Sequence, residues 1–220
     1  MAQRTAVWSP LATVGVAVLF LTCVIAGCGG DRSGGPAGRP EDVVGRAPDV
    51  TLAARTARIR INSPSAAASG VIDFARRSGR LKVTAPGLTS AVNVVISGGN
   101  GLPPALVGGD PFANVDLVRG TVHILSDGGA EVDGASTIRY TLTIDPQQAI
   151  EVTPPARQPE LRAVLEGRTA MFPMDVWIDS KLLIRRVEVP TDLKATTPVT
   201  RVDRLPIATD VDFLAFGVAA

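Results

Sequence analysis

The sequence predicts an α+β domain in which an antiparallel sheet carries a few short helices on one side. Three observations lead to this prediction. Segments with alternating apolar and polar residues recur along most of the chain, and a period of 2 is typical of strands with one buried face. Several of these segments are joined by short turns, which favours antiparallel neighbours. The helical patterns are short and interrupt runs of strands, which is the order of elements expected of an α+β fold.

The N-terminal segment has the pattern of a lipoprotein signal peptide over residues 1–27. Arg4 is followed by about 15 uncharged residues, Leu11 to Ile25, fewer than the roughly 20 that a membrane-spanning helix needs. Small residues then precede Cys28. We therefore expect Cys28 to become the lipidated first residue of a protein anchored at the extracytoplasmic face of the plasma membrane, in the cell envelope. An uncleaved anchor helix is the alternative, and it would leave the domain on the same side.

The composition argues against several classes of function. Cleavage before Cys28 leaves 21 of the 22 basic side chains against 21 acidic ones, so binding of nucleic acid has no electrostatic support. The two cysteines, Cys23 and Cys28, fall in the removed segment and at the anchor, so no disulfide is expected. A single histidine removes most zinc, copper and haem ligand sets, and we expect neither metal nor cofactor. About 180 residues remain, enough for one apolar core.

The first half of the mature chain is predicted to be a tether followed by strands. Residues 28–48 should be the lipidated cysteine and a flexible tether, because residues 29–40 contain no apolar side chain larger than alanine or proline. Residues 41–57 have only a weak helical pattern, which Pro48 interrupts. The folded domain is expected over residues 49–220. Alternation predicts strands at 58–62, 71–74, 80–84 and 92–96, joined as a meander.

The second half combines two helices with further strands. Asp110-Pro111 predicts a helix of about two turns, because aspartate caps the free amides and proline takes the first helical position. Residues 159–167 begin with proline, end with glycine and place an apolar stripe on one helical face. A turn is expected at 126–129. Strands are predicted at 121–125, 130–132, 137–145, 174–179, 182–189, 200–204 and 210–216.

Nothing in the sequence nominates a catalytic centre. His123 alternates with Val122 and Ile124, so we expect it on the solvated face of a strand rather than in the role of a base. A serine triad would need a strained elbow such as G-x-S-x-G, which the sequence lacks. The acidic segment at 127–134 lacks the spacing of a calcium loop, and residues 98–101 lack the lysine of a phosphate loop. We therefore predict that the protein is not an enzyme.

The interior of the domain has two alternative descriptions. Aromatic residues make up 4% of the chain, so the interior must be filled largely by aliphatic side chains. Either the sheet curls over a filled core, or a space between the sheet and the helices stays open to an apolar ligand. Composition alone does not separate the two. A filled core would suit a non-catalytic envelope scaffold that binds other proteins through a strand edge or a loop.

The order of several short motifs resembles the LppX/LprG family of mycobacterial and related actinobacterial lipoproteins. The motifs are Ile25-Ala26-Gly27-Cys28, Ser69 to Asp73, Asp110-Pro111, Val132 to Tyr140, and Val176 to Asp179 followed by Leu182 to Val189. The resemblance implies an antiparallel half-barrel whose concave face is covered by short helices, similar to the LolA and LolB carriers. Residues 49–220 would then be a lipid-carrier-like β domain with a hydrophobic cavity for the acyl chains of envelope lipids or glycolipids.

The same resemblance implies a role in moving such lipids outward from the plasma membrane, with a membrane lipid transporter as a candidate partner and no catalytic residues. Acyl chains would be bound by burial of apolar surface, worth roughly 25 cal/mol per Å². Val164→Trp or Leu161→Trp should fill the cavity and block the ligand without changing the melting transition. The candidate lipid-binding residues are Leu102, Leu106, Phe112, Val115, Leu161, Val164 and Leu165. For each of them, ordinary core packing is the alternative role.

Overall fold

The computed structural model describes residues 35–98, 100–106, 108–166, 168–190 and 208–219. The predicted signal peptide, the lipidation site Cys28 and the strand expected at 200–204 lie outside these residues. All the described residues belong to one compact unit, Ser33–Ala220, with its own core. Among the described helices, none is both long enough and apolar enough to cross a membrane.

Nine strands in the described part of the chain form one antiparallel sheet. They are β1 Thr56–Asn62, β2 Ala67–Asp73, β3 Ser78–Thr84, β4 Val92–Ser97, β5 Thr121–Val132, β6 Ala135–Ile144, β7 Phe172–Asp179, β8 Ile184–Pro190 and β9 Ala208–Phe216. The order across the sheet is β4-β3-β2-β1-β9-β8-β7-β6-β5, so β4 and β5 are its edges. The N-terminal meander is joined to the C-terminal strands by the pairing of β1 with β9.

Four short α-helices in the same ranges accompany the sheet, which confirms the α+β half-barrel predicted from the sequence. They are α1 Pro40–Ala53, α2 Pro111–Leu117, α3 Pro146–Val152 and α4 Gln158–Val164. α1 packs against β7 and β8, and α2 packs against β8. Each helix has a proline in one of its first two positions, where the missing amide hydrogen costs nothing. The side chains of Asp110 and Asp145 cap α2 and α3.

Helix α1 differs most from the expectation drawn from the sequence. It begins at Pro40 and continues through Pro48, so residues 40–48 of the predicted tether are helical. Its weak amphipathic pattern is compensated by tertiary contacts, which supply most of the stability of short helices. Val43, Val44 and other side chains on one face are buried. The backbone N–H of Ile184 in β8 donates to the Thr51 hydroxyl at 2.9 Å, which ties the helix to the sheet.

Two further elements depart from the sequence-based prediction. The turn expected at 126–129 is absent, and β5 continues through it with an irregular register between Ser126 and Gly128. A bulge of this kind lets a strand continue past residues that would otherwise favour a turn. Helix α3 was not predicted, although Asp145-Pro146 repeats the capping pattern of Asp110-Pro111.

The core lies between the helices and one face of the sheet, and side chains occupy this space. The rings of Phe74, Phe112 and Phe213 come together there, with centroid distances of 6.2 Å and 6.1 Å from Phe74 to the other two. The same core contains aliphatic side chains from most of the strands, including the fully buried Ile59 and Leu142. The described core therefore agrees better with the filled interior than with a wide cavity.

Candidate functional site

The residues predicted to line a cavity all lie at the helical layer, but they have two different environments. Most of them are core residues with 0–4% of their surface exposed: Leu106, Phe112, Val115, Leu161 and Leu165. Leu102 and Val164 are half-buried and pack against that core.

Three of these candidates, Leu102, Leu106 and Val164, meet in a pocket of about 210 Å³. The remaining lining residues come from the loop before α2, from α2, from the segment after α4 and from β8: Pro103, Gly108, Asp110, Asn114, Leu117, Arg168 and Val189. Pockets that enclose drug-sized ligands usually measure about 300–1,000 Å³, so this one is small. Phe112, Val115, Leu161 and Leu165 do not line it.

Two polar side chains in the pocket are committed to local structure. The Asp110 carboxylate accepts hydrogen bonds from the backbone N–H groups of Phe112 at 2.8 Å and Ala113 at 3.1 Å. Burial raises the pKa of Asp110 above its usual 3.8, and the two amides oppose that rise. The side-chain amide of Asn114 donates to the Gly108 carbonyl at 2.7 Å. These bonds fix the loop wall of the pocket to α2.

A third polar side chain in the pocket, Arg168, has a different environment. It is half-buried, and its backbone N–H donates to the Leu165 carbonyl at 2.8 Å just after α4. Burial lowers the pKa of its guanidinium group from the usual 12.5. Arg168 therefore brings a partly desolvated positive charge to an otherwise largely apolar pocket.

The carboxylate of Asp116, in α2, is the centre of an ionic cluster beside the pocket. Its side chain is 1% exposed, and its Oδ1 accepts hydrogen bonds from Arg157 at 2.7 Å and from Arg119 at 3.4 Å. The guanidinium of Arg77 lies 3.5 Å from the other carboxylate oxygen. Burial raises the pKa of Asp116 above its usual 3.8, while the three guanidinium groups act in the opposite direction.

The cluster extends to further elements through a second layer of carboxylates. Arg77, from the β2–β3 turn, also pairs with Glu160 of α4 and stacks over the Phe112 ring at 5.1 Å. Arg119 pairs with Asp49 of α1 at 2.6 Å. Together these contacts connect α1, α2 and α4 to one end of the sheet, so they hold the helical layer closed over the core.

A larger groove, of about 890 Å³, lies on the opposite face of the sheet. Its lining includes Arg80, Lys82 and Val95, which are exposed and alternate along their strands with core residues such as Leu81. The groove is open and basic, and it is separated from the helices by the sheet. It therefore does not correspond to the apolar site predicted from the sequence.

The same outer face carries a row of carboxylates across three strands. The strand register places Asp175 opposite Glu188, and Glu188 opposite Asp210. Burial raises the pKa of Glu188 above its usual 4.5, and the neighbouring Asp210 and Asp175 raise it further. Within the described ranges, no three His, Cys, Asp or Glu side chains are arranged to hold a metal ion. His123 is exposed on β5, as its alternation predicted.

An open antiparallel half-barrel with short helices packed over its apolar face defines the structural class of this protein. Solved structures of that class match it along most of its length. It is similar to the lipoprotein LppX of Mycobacterium tuberculosis, with a TM-score of 0.53 and 11% identity over 83% of this chain and 98% of that chain. It is also similar to LprF from Mycobacterium bovis, with a TM-score of 0.50 and 14% identity over 85% of this chain and 97% of that chain.

No protein-family model matches the sequence, and no curated protein matches it either. At the identities found, the structural similarity shows a shared fold. The resemblance to LppX and its relatives, inferred from short motifs, is confirmed at that level.

Reasoning from the sequence missed the two charged groups that distinguish this region. The sequence does contain a signal for Asp116. Between Phe112 and Val118 the residues are apolar except for Asn114 and Asp116, and a carboxylate in such a segment indicates a buried charge with partners. Arg168 has no such signal, since an arginine after a short helix is common on protein surfaces. Only its position in the pocket gives it significance.

Proposed function

We propose that this chain is a non-catalytic lipoprotein of the cell envelope that binds an acylated lipid or glycolipid and assists its transport. The observation that carries the proposal is the pocket formed by Leu102, Leu106 and Val164 beneath the helices of a half-barrel. Lipidation of Cys28 would anchor the domain at the extracytoplasmic face of the plasma membrane. The description of the similarly folded LppX as a lipoprotein supports this anchoring.

In the proposed mechanism, one acyl chain enters beside α4 and contacts aliphatic side chains while the headgroup stays at the mouth of the pocket. The pocket measures only about 210 Å³, so in the observed conformation it would hold a segment of one acyl chain. A longer chain requires the helices to move away from the sheet. The Asp116 cluster spans the interface that would then open, and it would therefore set the cost of loading. A membrane lipid transporter would deliver or receive the ligand.

Native mass spectrometry with organic extraction tests the proposal. Residues 29–220, which include the whole compact unit, would be expressed in an actinobacterial host. We expect a co-purifying acylated species that is lost on denaturation. Val164→Trp should reduce this species because it fills the pocket, whereas Leu88→Trp, at a position that is 49% exposed and outside the pocket, should not. Full lipid retention in Val164→Trp would exclude this pocket as the site.

A scaffold with a filled core is the second candidate function, and two observations favour it. Side chains already occupy the space between the helices and the sheet. In addition, β5 is an edge of the sheet within the described residues. Two of its apolar side chains are largely exposed, Val122 at 44% and Leu125 at 49% of their surface. Such an edge can accept an extra strand from another protein. A native mass equal to that of the protein alone, with no uptake of added diacyl lipid, would favour the scaffold function over lipid binding.

A further inference from the structure

The pocket contains one charge, that of Arg168, which no described residue compensates. The other half-buried arginines in the described ranges each pair with a carboxylate: Arg77, Arg119, Arg139, Arg157, Arg185 and Arg186. The guanidinium of Arg168 makes no such contact with any described residue. Desolvation of a cation without a partner is unfavourable, so proteins usually pair such groups or use them to bind an anion.

The other polar groups of the pocket do not neutralise this charge. Asp110 lines the same pocket, but its carboxylate caps α2 through the amides of Phe112 and Ala113. The charged side chains that act on Asp110 are Arg77 and Glu160. Asn114 donates to a backbone carbonyl. Among the described lining residues, Arg168 is therefore the one whose polar side chain remains available to a ligand.

The remaining lining decides what kind of anion fits. Leu102, Leu106 and Val164 give the pocket that Arg168 also lines an apolar wall, which suits an alkyl chain and not a fully hydrated ion. A guanidinium offers planar, paired donors that match a carboxylate or a phosphate. The small volume leaves room for the beginning of a single chain.

We propose that this pocket selects acidic single-chain amphiphiles, in which a carboxylate or a phosphate binds Arg168 and the alkyl chain lies against Leu102, Leu106 and Val164. This inference rests on the proposed lipid-binding function and adds the chemical class of the headgroup. Neutral lipids with the same chain would bind by apolar contact alone.

The test compares four probes by calorimetric titration of residues 29–220 at pH 7.5, below micelle-forming concentrations. Decanoate and decyl phosphate carry the acid group on a chain, decanol carries the chain without charge, and inorganic phosphate carries the charge without a chain. We expect the two acidic amphiphiles to bind about tenfold or more tightly than decanol, since hydrogen bonds to charged groups are the stronger ones. Inorganic phosphate should bind more weakly than decyl phosphate by at least the same factor.

Arg168→Gln should lower the affinity for decanoate and decyl phosphate to that of decanol and leave decanol binding unchanged. Its melting temperature should equal that of the wild type or exceed it, because the substitution removes a partly buried cation that pairs with no described carboxylate. Arg162→Gln is the matched control, since Arg162 is exposed on α4 and does not line the pocket. It should change none of these values.

Several results would overturn the inference, and they are distinguishable from failure of the proposed function. Equal affinity for decanoate and decanol, or full affinity for decanoate in Arg168→Gln, would remove Arg168 as the selecting group while leaving lipid binding intact. Equal binding of inorganic phosphate and decyl phosphate would indicate an anion site without a chain pocket. A large fall in the melting temperature of Arg168→Gln would assign the residue a structural role. Failure of all four probes to bind would overturn the proposed function as well.

Discussion

Adding one methyl group at each of two glycines should change stability in opposite directions. At Gly120, which precedes β5, a Cβ atom would lie 2.6 Å from the Ala149 Cβ and 2.7 Å from the Asp145 carbonyl oxygen. Ala149 lies in α3 and Asp145 caps that helix. Contacts shorter than about 3.0 Å are too close for a real Cβ atom, so either α3 or the backbone at residue 120 would have to shift. At Gly45, in the exposed part of α1, a Cβ atom would meet nothing within 4 Å.

The magnitudes follow from these distances. Overpacking typically costs about 1–3 kcal/mol, and alanine regains about 0.4–1 kcal/mol by restricting the unfolded chain, so Gly120→Ala should destabilise by about 1–2 kcal/mol. Gly45→Ala should stabilise by about 0.5–1 kcal/mol, because glycine is the weaker helix former. For a domain of this size, 1 kcal/mol corresponds to a melting shift of about 2–4 °C.

Urea denaturation of residues 29–220, followed by circular dichroism, measures both variants against the wild type. The two variants control for each other, since the chemical change is the same and only its surroundings differ. Wild-type stability in Gly120→Ala would refute the close packing of α3 on the start of β5. A loss of stability in Gly45→Ala would mean that α1 does not form the exposed helix described above.

Three further predictions are checked by urea or thermal denaturation followed by circular dichroism. Asp110→Ala should lower the free energy of unfolding by about 1 kcal/mol, because α2 loses its cap. Asp110→Asn should keep most of that stability, because asparagine can also cap a helix. Equal losses of stability in the two variants would argue against the cap. Glu188→Gln should weaken the pH dependence of the melting temperature between pH 7.5 and 5, whereas Glu166→Gln at an exposed position should not. The folded protein retains the Glu188 proton at higher pH than the unfolded chain, so stability should rise as pH falls through the raised pKa and level off below 4.5. Contrary to the expectation drawn from the sequence, Leu161→Trp should lower the melting temperature, because Leu161 is 1% exposed in the core whereas Val164 is half-buried. A normal melting transition would show that the space beneath α4 is not filled.

Local patterns predicted the elements that depend on local forces. Strands such as β1, β3 and β6 have one buried face, and their alternation can be recognised without knowing which neighbour supplies the cover. The start of α2 follows from Asp110 and Pro111, because capping involves only adjacent amides. Leu102, Leu106 and Val164 were candidates because apolar residues on or beside a short helix are expected to face the interior, and they line one pocket in the structure.

The sequence by itself determined the fold class, the approximate strands and the charge balance, because these depend on the order and type of neighbouring residues. Only the tertiary structure decided that α1 continues through Pro48, since contacts with β7 and β8 stabilise it from more than a hundred residues away. The pocket is also a tertiary property. It brings Leu102, Val164 and Arg168 together from segments about 60 residues apart, and burial there makes the Arg168 charge significant.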